Sequence, residues 1–121
     1  MVAGPPQADA WDPWTPDGLA RRLHGVGLRW YVVGGWALDM WHGAQTRPHE
    51  DLEFAVFPED APRCVAHLKE LSFFEVREGT FHPWSSQHGV SANVWQIWGA
   101  ETACRVWRVD MMIERGTRDT W

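Results

Sequence analysis

The sequence has few cysteines and no long apolar run, and both features exclude whole classes of protein. Cys64 and Cys104 are its two cysteines, too few and too far apart for a disulfide scaffold or a zinc site. We therefore expect reduced thiols in a cytoplasmic protein. No run approaches the roughly 18 apolar residues of a membrane span. The N-terminus also lacks the basic and apolar regions of a secretory signal, so no membrane partner is expected.

Positive charge is scarce as well, with 11 basic against 16 acidic residues and a net charge of −5. A protein that coats DNA or RNA needs a basic face, so a nucleic-acid polymer is not an expected partner. A small nucleotide bound through metal ions stays open. The 121 residues suit one hydrophobic core. We expect a single domain over residues 1–121, with residues 1–14 as an irregular N-terminal strap.

Tyrosine is nearly absent, whereas tryptophan is abundant: the chain has 1 Tyr and 10 Trp. Each indole can bury a large apolar area while its N–H finds a partner. Alternatively, exposed indoles form stacking surfaces for bases or sugars. We favour packing for any single Trp and keep the stacking interpretation open.

Hydrophobic periodicity and turn residues predict the element order α-β-α-β-α-β-β-β. Thr15 is the expected N-cap of the first helix, and Gly43 is expected to end the second. The predicted helices span about 16–26, 36–41 and 58–71; the predicted strands span 29–33, 51–57, 73–77, 92–98 and 105–113, with a long loop or hairpin at 79–91 and a hairpin turn at 99–102. This order fits an α/β or α+β fold, a mixed sheet with helices packed mainly on one side.

Two glycines stand where the first strand turns into a helix. The segment Val32-Val33-Gly34-Gly35-Trp36 lets the backbone turn sharply and lets a phosphate approach main-chain N–H groups. The helix N-terminus that follows adds a favourable dipole for an anion. Taken alone, a Gly-Gly pair is more often only a turn.

Acidic residues stand on two predicted strands. Asp51 and Glu53 lie two residues apart on a strand, so both carboxylates point to one face. The strand continues as apolar on both faces, so these charges need compensation, from a divalent metal ion or from Arg47. Asp110 is the lone acid within a later apolar strand, so it too implies a partner, an arginine or a metal. Glu114, at the end of that strand, is interpreted as a surface residue.

These features together resemble the DNA polymerase β-like nucleotidyltransferase superfamily, in which Gly-Gly, a helix and Asp-x-Asp or Asp-x-Glu follow a strand. The strings Gly34-Gly35-Trp36-Ala37-Leu38-Asp39 and Thr46-Arg47-Pro48-His49-Glu50-Asp51-Leu52-Glu53 are similar to those of its aminoglycoside and lincosamide adenylyltransferase branch. The resemblance covers roughly residues 11–121, and its strongest part is 33–53.

The resemblance implies a transfer of AMP from ATP to a hydroxyl of a small acceptor, and antibiotic resistance if the acceptor is an aminoglycoside or lincosamide. Asp51, Glu53 and Asp110 would be catalytic and would bind two Mg²⁺ ions, with Asp110 as metal ligand, general base or both. The nucleotide-binding residues would be Gly34, Gly35, Trp36, Thr46 and Arg47. Arg47 could contact phosphate bidentately or pair with Asp39; both interpretations stay open.

The chain departs from that branch in two respects. Its second acid is Glu53, where antibiotic-modifying members usually have Asp. It also stops soon after the third acidic strand, so we expect the C-terminal acceptor-binding part to be absent. The apolar surface left by such an absence could form a homodimer. The alternative function is a non-catalytic domain of the same fold that binds a nucleotide or a protein.

Overall fold

Six strands and three α-helices form the fold of the residues that the computed structural model describes, which are 4–43, 49–87 and 89–115. In chain order the elements are α1 (Pro16–Leu23), β1 (Trp30–Val33), α2 (Gly34–His42), β2 (Glu53–Val56), a 3-10 turn (Pro58–Asp60), α3 (Ala61–His67), β3 (Leu71–Arg77), β4 (Thr80–Trp84), β5 (Gln96–Glu101) and β6 (Val106–Ile113).

The strands form one mixed sheet in the order β1-β2-β6-β5-β3-β4. β2 and β6 are parallel, and every other neighbouring pair is antiparallel. The described part of the N-terminal strap, residues 4–14, reaches the first half of β6, where Trp107 N–H donates to the Ala10 carbonyl at 2.8 Å. β2 takes the same position beside the second half of β6. The class is therefore α+β with a mixed sheet, as predicted.

One face of the sheet carries the hydrophobic core. Apolar side chains of α1 and α3, such as Leu19 and Cys64, pack in one cluster with Phe54, Met111 and Ile97 of the central strands. Thr15 is the N-cap of α1, and its hydroxyl accepts from Gly18 N–H at 3.1 Å. The helices thus cover this face, which confirms the one-sided packing.

The opposite face carries the acidic residues. Val33, Glu53, Asp110 and Trp98 are cross-strand neighbours on β1, β2, β6 and β5, so they share one face at one level. A smaller aromatic cluster occupies the part of this face near the strap, and it comprises Trp11, Phe74, Phe81, Trp98 and Trp107.

Several element boundaries were predicted wrongly. β2 begins at Glu53, two residues late, and α2 begins at Gly34 because that glycine itself turns the chain at φ +69°. The third helix ends at His67 rather than about Leu71, since Leu71 pairs with Glu101 in the sheet. That pairing extends β5 through residues 99–101, where a turn was expected.

The segment 79–91 contains a strand that the sequence did not separate from a loop. β4 folds back on β3 through Glu78 and Gly79, whose φ angles are 50° and 78°. These values match a tight primed hairpin turn, so the hairpin alternative for this segment is confirmed. None of the helices in the described ranges is long and apolar enough to cross a membrane.

Candidate active site

The turn from β1 into α2 brings the backbone against an acidic side chain. Gly34 has φ +69°, and a Cβ placed on it would lie 2.8 Å from Oε1 of Glu53. Any other residue would therefore meet both backbone strain and the Glu53 carboxylate. The structure thus shows why a glycine stands at 34, and it places the first turn of α2 beside the acidic strand.

Glu53 and Asp110 lie side by side in the parallel ladder of β2 and β6. The ladder extends one step before Glu53, because Asp110 N–H donates to the Leu52 carbonyl at 2.8 Å. Asp51 precedes this step outside the strand and is half-buried. Two distant segments of the chain therefore bring the three predicted acids to one end of the β2–β6 pair.

Asp110 is nearly inaccessible, with 2% of its surface exposed. Burial, and then the charges of Glu53 and Asp51, raise its pKa to about 8. Burial and the neighbouring Asp51 carboxylate also raise the pKa of Glu53. Both shifts indicate that the described groups around these carboxylates only partly offset their negative charge.

The partner of Asp110 is an amide. Gln96 Nε2 donates to Asp110 Oδ2 at 3.0 Å, while the buried Oδ1 has no hydrogen-bond partner. Trp98, its neighbour on β5, has a buried indole N–H near this carboxyl that lowers the pKa of Asp110, although the two do not meet in a well-aligned hydrogen bond. Among the described residues no arginine forms an ion pair with Asp110, so the predicted arginine alternative is not realised there.

The chemistry of this donor set fits a hard divalent cation. Mg²⁺ prefers carboxylate oxygens, and the unpaired Oδ1 of Asp110 is a buried oxygen that lacks a partner of its own. In the ranges that the structure covers, no three acidic, histidine or cysteine side chains already converge as a formed metal cluster. The carboxylates are therefore brought together without being arranged as a closed cage.

A buried pair joins α2 to the segment that leads into β2. His49 Nε2 and Asp39 Oδ2 are 2.5 Å apart, and their side chains are 5% and 3% exposed. The His49 ring also lies 4.2 Å from the Trp36 ring, between centroids. Sequence reasoning left Arg47 open as a partner of Asp39 and did not consider His49; Arg47 itself lies outside the described residues, so that alternative stays a prediction.

The remaining nucleotide-binding predictions divide into two groups. Thr46 and Arg47 lie outside the described residues. Gly34, Gly35 and Trp36 all lie in the first turn of α2, where Gly34 lies against Glu53 and Trp36 packs against the core and the His49 ring. Trp36 is half-buried, with a buried and unpaired indole N–H.

A groove of about 440 Å³ runs along the acidic face from Gly34 and Glu53 to Trp95 and Arg115. Glu114 also lines it and accepts a hydrogen bond from the Tyr31 hydroxyl at 2.6 Å. This bond is the main cause that raises the pKa of Tyr31 to about 12. Glu114, interpreted from the sequence as a surface residue, is half-buried and hydrogen-bonded in this groove.

The mixed sheet with its one-sided helices is consistent with a nucleotidyltransferase type of domain. A family model described as Aminoglycoside-2''-adenylyltransferase matches residues 18–87. The match spans more than half of the chain, from α1 through the turn after β4, and includes Gly34, Asp51 and Glu53. The chain belongs to the aminoglycoside-2''-adenylyltransferase family, a branch of the DNA polymerase β-like nucleotidyltransferases.

No curated protein and no solved structure matches the chain significantly. Asp110 lies beyond the matched residues. Its place beside Glu53 therefore rests on the register between β2 and β6.

Proposed function

We propose that this protein is a metal-dependent nucleotidyltransferase that moves AMP from ATP to a hydroxyl group of a small acceptor. The observation that supports this most is the buried Asp110, which lies in register with Glu53 and has an unpaired carboxylate oxygen. Family membership supports the adenylyl group and ATP. An aminoglycoside or a lincosamide-like antibiotic is the proposed acceptor, in which case the activity would confer resistance.

Asp51, Glu53 and Asp110 would hold two Mg²⁺ ions. When bound, such ions neutralise charge on the phosphates and hold the attacking and leaving oxygens in line. The protein's own part is then mainly the placement of carboxylates. The ladder bond from Asp110 N–H to Leu52 fixes one of them against another, which is the preorganisation that such a site needs.

Gly34 and Gly35 would accommodate the triphosphate, because main-chain N–H groups at the start of α2 can donate to phosphate oxygens. Trp36, Thr46 and Arg47 would complete this subsite. Asp110 would bind metal, accept the proton of the acceptor hydroxyl, or do both. The acceptor oxygen then bonds to the α-phosphorus while the bond to the bridging oxygen breaks, and pyrophosphate leaves.

A second candidate function is a binding module that keeps the fold without catalysis. The exposed apolar side chains of α2 favour it, since Leu38, Met40 and Trp41 are 53%, 58% and 81% exposed. Such a surface could contact a second copy or another protein. The two free thiols of the chain fit a cytoplasmic protein, whether it is a transferase or a binding module.

Pyrophosphate release tests the proposal. The purified chain is incubated with MgATP and a panel of aminoglycosides and lincosamides, and release is compared with Glu53→Gln. Acceptor-dependent release that the variant loses supports the transferase. MgATP-independent binding of a protein partner, with no release for any acceptor, supports the binding module instead.

A further inference from the structure

We propose that Trp95 is the surface on which the adenine base of ATP stacks. This inference rests on the proposed function and adds a subsite that no motif in the sequence marks. Trp95 is a large apolar side chain with 56% of its surface exposed. It lines the same groove as Gly34 and Glu53.

The spacing between the two ends of the groove suits a nucleoside. The Trp95 carbonyl accepts from Ile113 N–H at 2.9 Å, so Trp95 lies level with Ile113, three residues beyond Asp110 on β6. At about 3.3 Å per residue, this separates it from the carboxylates by about 10 Å along the strand. A ligand with its α-phosphate at Glu53 would reach this level with its base.

The Trp95 indole contacts an arginine side chain that is itself hydrogen-bonded to the backbone. The guanidinium of Arg115 lies 4.9 Å from the Trp95 ring centroid, and its Nη2 donates to the Ser91 carbonyl at 2.8 Å and to the Val94 carbonyl. A fixed aromatic ring loses little conformational freedom on binding. The contact with Arg115 therefore restricts this exposed indole before a ligand binds.

The floor between the two ends suits the uncharged part of a nucleotide. Val33, Ala55 and Met112 line it, and they offer apolar contact rather than charge. Tyr31 and Glu114 add a hydrogen-bonded pair at one side. Base stacking on an aromatic side chain tolerates different bases, so this subsite would contribute affinity for the nucleoside more than selection among bases.

The test compares two ligands that share a phosphate chain. The Mg²⁺-dependent affinities for ATP and for inorganic tripolyphosphate are measured by calorimetry on the full chain and on Trp95→Leu. Loss of stacking should weaken ATP binding about 10-fold and leave tripolyphosphate binding unchanged. Trp95→Phe should retain most of the ATP affinity, and Trp41→Leu, at the exposed indole of α2, should retain all of it.

A second measurement needs no substitution that removes the ring. In the wild-type protein with MgATP, nuclear Overhauser contacts should join the adenine protons to the Trp95 indole and not to Trp41. Unchanged ATP affinity in Trp95→Leu, an equal loss for both ligands, or no contacts at Trp95 would overturn the base subsite alone. A wild-type protein that binds neither ligand would overturn the proposed function and this inference with it.

Discussion

Asp39 on α2 and His49, two residues before Asp51, form a buried hydrogen bond of 2.5 Å. The bond joins the helix that begins at Gly34 to the segment that leads into the acidic strand. The two halves of the motif, separated by residues outside the described ranges, thus meet through it. Its position makes it a structural support for the carboxylates rather than part of their chemistry.

Removal of this support should destabilise the fold. His49→Ala removes the imidazole from this buried hydrogen bond, at a cost of about 2 kcal/mol in the free energy of unfolding. Urea denaturation measures this, and His67→Ala, at an exposed histidine at the end of α3, should change the free energy by less than about 0.5 kcal/mol. Equal small effects for both variants would contradict the role given to the pair.

Two glycines with similar backbone angles offer a matched comparison. Gly34 and Gly43 have φ of +69° and +84°, but a Cβ would meet Glu53 at Gly34 and no atom within 4 Å at Gly43. Each Ala substitution should cost about 1–2 kcal/mol from backbone strain. Gly34→Ala should in addition displace the Glu53 carboxylate and weaken Mg²⁺-dependent ATP binding.

Thermal unfolding and ATP titration of the two glycine variants separate these effects. Gly43→Ala should lose stability and keep the wild-type affinity for MgATP. If Gly34→Ala also kept that affinity, the contact between the turn and Glu53 would have no bearing on the site.

The elevated pKa of Asp110 predicts how stability depends on pH without metal. Between the ordinary value of 3.8 and about 8, the folded protein keeps a proton that the unfolded chain has released. Stability should therefore fall as pH rises through this window. Asp110→Asn removes the effect and should raise the free energy of unfolding at pH 8.5, in chelator, by at most about 6 kcal/mol.

Denaturant unfolding at pH 5 and pH 8.5 checks this prediction. The stabilising effect of Asp110→Asn should grow with pH, and Asp9→Asn, at an exposed acid in the strap, should show no such trend. A destabilising Asp110→Asn at pH 8.5 would mean that the carboxylate is compensated in the metal-free fold.

Mg²⁺ should bind the same carboxylates, and the stability that it adds should increase with pH, whereas the stability of the metal-free protein falls. A bound cation competes with protons for Glu53 and Asp110, so the rise in melting temperature on adding Mg²⁺ should be larger at pH 8.5 than at pH 6. Differential scanning fluorimetry on wild type and Glu53→Gln measures it. A shift independent of pH, or retained in the variant, would point to a cation bound elsewhere.

The elements with strong local signals were predictable from the sequence. The Thr15 cap, the strand ending at Val33 and the αL position of Gly43 all follow from residue types. The boundaries that failed depend on pairing over distance: Leu71 joins the sheet because Glu101 lies opposite it. No local pattern encodes that register.

The residues of the candidate site also fall into those that the sequence could identify and those that only the fold reveals. Asp51, Glu53 and Asp110 could be named from their positions in apolar strands, but their adjacency needs the parallel pairing of β2 with β6. Gln96 and Trp95 could not be named, since an amide and an exposed indole are unremarkable in sequence. His49 was visible in a motif, yet its partner Asp39 is identified only by the folded chain.

Calorimetric titration of ATP with and without Mg²⁺, on wild type and Asp51→Ala, tests the central claim most directly. Asp17→Ala, at an exposed acid in the first turn of α1, serves as the control. The account predicts binding that requires Mg²⁺, is lost in Asp51→Ala and persists in Asp17→Ala. ATP binding that is indifferent to Mg²⁺ and to Asp51, or no binding by the wild-type chain, would contradict it.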